Sequence, residues 1–163
     1  DASQRPKTFQ ATFRESLDKV RDLCTPDSVV YINVLEHIED DAGELKAIHD
    51  VLAPGGRVLI FVPAVKWLMS GLDRELGHFR RYSASDLEEK CRDAGFDIRL
   101  SMYFDALGVV PWWFMHRVLR LRQLQPASVR FYDKFVVPIG QWAEGFVSPP
   151  IGKNLIMVGE KAP

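Results

Sequence analysis

Two short β-branched runs, separated by one helix-length amphipathic stretch, constrain this chain more than any other feature. The first run is Ser28-Val-Val-Tyr-Ile32, bounded by Thr25-Pro26-Asp27 before it and polar Asn33 after it. The second is Arg57-Val-Leu-Ile-Phe-Val62, closed by Pro63. Neither alternates apolar with polar residues, which is the pattern of strands buried on both faces of a parallel sheet. Between them, an acidic segment over 36–44 leads into a helix with Leu45, Ile48, Val51 and Leu52 on one face. Pro54-Gly55-Gly56 stops that helix, since proline cannot continue it and glycine supplies the turn. Strand, helix, glycine turn and strand over about 35 residues form a βαβ unit, which predicts parallel strands with a right-handed crossover.

The remaining pattern extends this unit into an α/β domain. Phe9, Phe13, Leu17, Val20 and Leu23 recur at helical spacing, predicting a helix over 9–23. Ser85-x-x-Glu88 has the spacing of a capping box and opens a predicted helix that ends at Gly95. A third strand is predicted over 98–103 and a last one over 154–160. Residues 106–145 read as a mostly helical insertion punctuated by Pro111, Pro126 and Pro138. The expected organisation is therefore a lead-in and helix over 1–26, then one α/β unit over 27–163 with a helical insertion at about 104–152. At 163 residues with 47% apolar content, the chain is long and apolar enough for a core and does not resemble disordered sequence. A net charge of −1 argues against holding nucleic acid by bulk electrostatics. Cys24 and Cys91 are too few for a disulfide framework and read as small apolar fillers. With no basic start and apolar run at the N-terminus, the expected location is the cytoplasm.

Ligands of parallel α/β sheets gather beyond the carboxyl ends of the strands. Three polar segments are predicted there: residues 33–41 after the first strand, the Pro63-Ala64 turn after the second, and the loop over 77–82. Each has an alternative structural reading. Glu36 and His37 also suit the start of a helix, where carboxylates meet the positive end of the dipole. His78 also suits a solvated loop. Arg80 and Arg81 also suit surface pairing with Asp73, Glu75 or Asp86, which contributes little. His49 and His116 read as surface or boundary residues.

The segments VVYINVLEHIEDD and VLAPGGRVLIFVPA, with GHFRRYS, the helix to DAGF and IRLSMYF, resemble the middle and later motifs of class I S-adenosylmethionine-dependent methyltransferases. The resemblance covers about residues 27–160. It implies a partial Rossmann-like sheet of about four strands, the last antiparallel, with flanking helices. It also implies S-adenosylmethionine as cofactor, with Asn33, Val34 and Leu35 on the cofactor side. Glu36, Arg80, Arg81 and Tyr82 would face a small-molecule acceptor, lipid-like or sugar-like. His37 and His78 would be the bases, since methyl displacement from a sulfonium needs alignment and a proton acceptor. One subgroup with a similar strand end binds a divalent metal through two glutamates and the histidine. Asn33 stands at the first glutamate position here, so no metal is expected.

The cofactor half of such an enzyme is not visible. No two glycines are separated by a single residue, so the glycine-rich turn that approaches the cofactor is missing. The residues before Ser28 read as one helix, too few for further βαβ units. The chain is thus expected to be the C-terminal portion of a methyltransferase that binds its cofactor weakly or not at all by itself. The bare edge of the 28–32 strand is expected to self-associate, to swap with another chain, or to be covered by the 9–23 helix. A non-catalytic interaction module on this fold is the alternative, and a different α/β enzyme sharing only the βαβ unit is a weaker one. Residues 106–124, ALGVVPWWFMHRVLRLRQL, join aromatics to arginines. They fit a peripheral membrane contact or a lid over a greasy acceptor, or more simply a helix packed on the sheet.

Overall fold

A computed structural model describes residues 13–121, 130, 132–144 and 149–163. Phe9 at the start of the first predicted helix, and Pro126 in the insertion, lie outside the described residues. Strands β1 (Ser28–Ile32) and β2 (Arg57–Pro63) are parallel, with Ser28 opposite Arg57 and Ile32 opposite Phe61. Helix α2 (Asp41–Val51) connects them. Two further strands, β3 (Phe96–Phe104) and β4 (Asn154–Lys161), complete a sheet of order β1-β2-β4-β3, in which β4 runs antiparallel to both its neighbours. The fold is the expected mixed sheet with a parallel βαβ unit and an antiparallel last strand.

The two faces of this sheet differ. On one, Tyr31, Val58, Ile60, Val62, Leu155 and Met157 are buried beneath α2 and α4 (Ala84–Asp93), whose Leu45, Ile48, Leu87 and Cys91 complete the core. Helix α1 (Phe13–Leu23) joins this side, its Phe13 ring meeting Tyr31 edge-on at 6.0 Å. On the opposite face, Val30 and Ile32 are each 58% exposed, and Leu59, Phe61, Ile156 and Val158 are half-buried. The continuous apolar runs of β1 and β2 predict burial on both faces; in the described residues only one face is covered. β1 is also the outer strand of the sheet, so its far edge is unpaired among the described residues, and α1 lies against the covered face.

Local chemistry sets the helix boundaries. Asp40 caps α2 by accepting from the Gly43 N–H at 3.0 Å, and the C-terminal Gly95 of α4 adopts φ +103, a conformation few other residues tolerate. The cap of α4 is a correction to the sequence reading: Ser83, not Ser85, accepts from the Asp86 N–H. Ser83-x-x-Asp86 has the same spacing as Ser85-x-x-Glu88. The earlier start is selected because Tyr82 pairs with the end of β2 and the Ala84 N–H donates to the Tyr103 hydroxyl at 3.0 Å.

Three further expectations are corrected. Cys91 is fully buried, with its thiol pushed up to about 12 by desolvation, but Cys24 is exposed and fills nothing. His116 is buried against Trp112 with its Nδ1 2.7 Å from the Leu121 carbonyl, so it is not a surface residue. Pro111 lies within the first turn of α5 (Val109–Trp112), where a missing N–H costs least, so it opens a helical segment instead of interrupting one, whereas Pro138 falls inside the continuous helical stretch made by Tyr132–Val136 and Val137–Glu144. The wide-pitched turns Trp113–Val118 and Tyr132–Val136 make up much of the rest of the described insertion. Replacing the cap should test the corrected boundary. Ser83→Ala is expected to lower unfolding stability by about 1 kcal/mol, and Ser85→Ala to leave it nearly unchanged, read by urea denaturation.

Candidate functional site

The carboxyl ends of β1 and β2 and the amino end of antiparallel β4 meet at one end of the sheet, since Asn154 pairs with Pro63. A cleft of about 410 Å³ opens there. Past β1, Asn33 turns the chain with φ 51 while its N–H bonds the Phe61 carbonyl at 2.9 Å. Asparagine tolerates this left-handed conformation better than most residues. One 3-10 turn, Leu35–His37, then brings Glu36 and His37 to the cleft. Past β2, Val65 also has positive φ (65), costly for a β-branched residue. It is held by reciprocal backbone bonds: Val65 N–H to the Tyr82 carbonyl at 2.9 Å and Tyr82 N–H to Pro63 at 3.0 Å.

The loop between Val65 and Tyr82 is organised by one fully buried carboxylate. Asp73 sits in a short helix, α3 (Gly71–Glu75), whose start is a complete Ser70–Asp73 capping box. Asp73 Oδ2 accepts from the Ser70 N–H (2.8 Å) and hydroxyl (2.6 Å). Its Oδ1 accepts from Arg81 Nε (2.8 Å) and a terminal guanidinium nitrogen (2.7 Å), and stands 3.2 Å from His78 Nδ1. Burial by itself would raise this carboxyl, but the Arg81 and Ser70 bonds outweigh it and hold it below the usual range. Arg81 also donates to the Ala64 carbonyl at 3.1 Å, and its guanidinium lies 4.9 Å from the Trp112 ring centroid. The expected surface pair of little worth is therefore a buried one.

Three groups converge in the cleft. Ligand-capable atoms of Glu36, His37 and His78 lie within 4.8 Å of one another, and the two imidazoles meet edge-on at 4.6 Å. Glu36 is fully buried, yet both its carboxylate oxygens lack a hydrogen-bond partner. Its carboxyl is raised chiefly by burial, against the opposing pull of its own backbone N–H, His37 and Arg81. An unsatisfied buried carboxylate is costly, which makes Glu36 a candidate for contact with a ligand in the cleft. His78 is lowered by burial, which prevails over the Asp73 carboxylate that favours its charged form. His37 Nδ1 stands 3.3 Å from the Gly77 carbonyl.

Other expected site residues are placed elsewhere. Leu35 and Tyr82 are fully buried. The Tyr82 hydroxyl donates to Asp41 Oδ2 at 2.8 Å, with the Leu35 carbonyl 3.3 Å away. Arg80 pairs with Asp41 at 2.7 Å and bonds the Glu39 carbonyl. These three residues brace the site from outside the cleft, because their polar groups are already used or, for Leu35, because it is core. Val34 is 40% exposed and lines a second, mostly apolar groove of about 580 Å³ against α1, with Phe13, Val30 and Ile38. Asn33 and His37 line both groove and cleft. The sequence reading named Asp73 only as a surface partner of Arg80 or Arg81, and it did not name Trp112 or Lys153 as site residues. Ser70-x-x-Asp73 carried the capping-box signal that could have singled out this aspartate. Lys153 reaches the cleft through tertiary placement, 2.8 Å from Asp105 and 5.6 Å from the Trp112 ring.

Comparison with known proteins accords with this fold. Residues 2–101 match the methyltransferase domain family. A Mycolicibacterium smegmatis protein provisionally assigned as an S-adenosylmethionine-dependent methyltransferase is 35% identical over 85 residues, which are 51% of this chain and 31% of the relative. The chain thus matches less than a third of that relative's length. An S-adenosylmethionine-dependent methyltransferase from Mesorhizobium loti has a similar fold (TM-score 0.50, 12% identity, 83% of this chain and 61% of that one). So does a Bacillus halodurans protein provisionally assigned as a methyltransferase (TM-score 0.50, 14% identity, 84% of this chain and 70% of that one). With the family matched across most of the chain and the sheet order in place, the chain belongs to the class I S-adenosylmethionine-dependent methyltransferase family.

Proposed function

We propose that this chain supplies the acceptor side of methyl transfer from S-adenosylmethionine to a small-molecule acceptor, lipid-like or sugar-like. The observation that carries this reading is the meeting of an Asp73-oriented His78, His37 and the unpartnered Glu36 carboxylate at the carboxyl end of the sheet. S-adenosylmethionine, the cofactor named for the Mycolicibacterium and Mesorhizobium relatives, supplies a methyl group activated on sulfonium sulfur. The residues present fit it in part. Asn33 and Val34 with the apolar groove beside β1 provide one wall, and the sequence contains no glycine-x-glycine turn to provide the other. Because Asn33 and His37 border both spaces, a donor in the groove and an acceptor in the cleft meet at these residues.

The acceptor's proton is the task left to the protein. Asp73 accepting from His78 Nδ1–H leaves Nε2 as the proton acceptor, the arrangement by which a carboxylate fixes an imidazole tautomer. Lowering of His78 by burial keeps it neutral, hence basic, at neutral pH. His37 bonds the Gly77 carbonyl through Nδ1, which leaves its Nε2 available in the same way. Glu36, with two free acceptor oxygens, aligns an acceptor hydroxyl or amine. Arg81, whose donors are used on Asp73 and Ala64, positions Asp73, while Lys153 offers the cleft a cation.

In the protein that carries this chain, His78→Ala is expected to lower kcat/KM for methyl transfer about 100-fold or more, with a smaller loss for His37→Ala. Labelled S-adenosylmethionine and a panel of hydroxylated and aminated acceptors provide the assay. Activity unchanged in both variants contradicts the assignment of the base, and activity abolished by a chelator would favour a divalent cation on Glu36, His37 and His78 instead. Calorimetric titration of the isolated chain is expected to show weak S-adenosylmethionine binding at most.

The acid limb of the pH profile gives a second test. Protonation silences His78, and its folded value lies below the ordinary 6.5. The plateau in kcat/KM is therefore expected to extend below that pH before activity falls, whereas an acid limb above it contradicts the role. The unpaired edge of β1, with Val30 and Ile32 exposed, supports self-association of the isolated chain. Sedimentation is expected to show a dimer at micromolar concentration, shifted to monomer by Val30→Lys with Ile32→Lys. A monomeric wild-type chain removes this part of the reading.

A further inference from the structure

Residues 106–132 contain Arg117, Arg120, Arg122 and Arg130 and no acidic residue, although the whole chain is nearly neutral. The structure places exposed apolar side chains around Arg117 and Arg120 on the outside of the insertion, and Arg122 lies outside the described residues. Val110 is 68% exposed, and Trp113, Phe114, Val118 and Leu119 are each exposed by 43% or more. The second helical part, over 132–144, adds Phe135, Ile139 and Trp142 as exposed apolar groups and Lys134 as an exposed cation. The two parts belong to one body: the Tyr132 hydroxyl bonds Asp105, and Gly140 approaches the Leu107 side chain. A pocket of about 470 Å³ lies within this surface, lined by Arg117 and Arg120 with Ser70, Trp113, His116 and Val118. Arg117 is steadied there by a bond to the Met69 carbonyl at 3.2 Å.

Aromatics and aliphatics around arginines on one exposed surface are what a helix lying in a membrane interface presents. The arginines meet anionic headgroups while the apolar side chains enter the boundary of the acyl region. Among the described residues no helix is long and apolar enough to cross a membrane. A second copy of the chain is a poorer occupant, because Arg117 and Arg120, with no acidic residue between Ala106 and Tyr132, repel their own image across a two-fold interface. We propose that the insertion's outer surface, centred on Trp113, Phe114, Arg117 and Arg120, docks on an anionic lipid surface, with the Arg117–Arg120 pocket taking a phosphate headgroup.

The surface is joined to the cleft through Trp112. This residue precedes Trp113 in the same helical segment, and its ring stacks near Arg81 and Lys153 at the cleft wall. Docking on lipid would therefore bring the cleft beside the interface, where a lipid-borne acceptor is concentrated. That last step rests on the methyl-transfer reading, and lipid docking itself does not.

Vesicle co-sedimentation of the full 163-residue chain, with neither cofactor nor acceptor present, tests docking separately from catalysis. Phosphatidylcholine vesicles and phosphatidylcholine–phosphatidylglycerol vesicles are compared, with tryptophan fluorescence as a second readout. Expected are binding to the anionic vesicles only, a blue shift on binding, and a loss of affinity on the order of tenfold or more in Arg117→Gln with Arg120→Gln. Trp113→Ser with Phe114→Ser should weaken binding comparably, while Val30→Ser with Ile32→Ser on the bare sheet face should not. Circular dichroism identifies any variant that fails to fold, and single substitutions at the exposed Val110 and Leu119 then replace it. The proposal is overturned by equal binding to neutral vesicles, by loss of binding only in the sheet-face variant, or by inorganic phosphate binding without vesicle binding. It is also overturned if sedimentation shows that Trp113→Ser with Phe114→Ser converts a dimer to a monomer and the wild-type chain ignores vesicles.

Discussion

The carboxylate of Asp73 holds together most of what gives this chain a site. It is fully buried and accepts from the Ser70 backbone and hydroxyl, from two guanidinium nitrogens of Arg81, and from the His78 ring. A buried ion pair adds little stability over an apolar filling, but removal of one partner leaves a charge stranded at several kcal/mol. Its effect here is therefore geometric. Arg81 crosses from Asp73 to the Ala64 carbonyl at the end of β2, so the loop after β2 is pinned to the strand that it leaves. His78 is fixed by the same oxygen, and His37 by the Gly77 carbonyl one residue earlier. The two imidazoles are thereby presented together to Glu36, across 40 residues of sequence.

A second constraint comes from the sheet's asymmetry. α2 and α4 cover one face completely and leave the other half-exposed, while β1 ends the sheet with an open edge. The groove beside β1 and the cleft beyond it share Asn33 and His37, so the two spaces join at the border of the sheet that is open among the described residues. Buried bracing around this border is dense. Tyr82 and Arg80 both end on Asp41, with Lys90 3.0 Å from its other oxygen. These bonds hold the Asp41 carboxyl below the usual range although burial pushes it up. Tyr82 and Arg80, which read in sequence as acceptor contacts, make these bonds to Asp41.

The legible parts of the fold were those set by short-range patterning. The runs at 28–32 and 57–62 became β1 and β2 because β-branched apolar residues bounded by turn formers have few other good conformations. α2 started and stopped where an acidic cap and Pro54-Gly55-Gly56 demand. Parallel pairing followed from the crossover between them. Of the residues that line the cleft, Asn33, Glu36, His37 and His78 were legible by position, because ligands of such sheets gather beyond the strand ends. Less legible were choices between equal local signals. Ser83 and Ser85 each begin a valid capping spacing, and only the Tyr82 bridge and the Tyr103 hydroxyl choose between them. Ser70-x-x-Asp73 signalled a helix start, but nothing in its neighbourhood said that Asp73 would be buried under Arg81.

By itself, then, the amino-acid sequence determined the βαβ unit, the family motifs and the position of polar residues at the strand ends, because each depends on contacts within a few residues or on one crossover. Tertiary structure decided which of those residues reach the cleft. Tyr82 and Leu35 turn into the core because the sheet face beneath them is apolar and closed. Trp112 arrives from a distant insertion, and Lys153 from the position just before β4, whose first residue Asn154 pairs with Pro63. Burial of Glu36 without a partner is likewise invisible in sequence, since desolvation belongs to the folded surroundings and not to the residue.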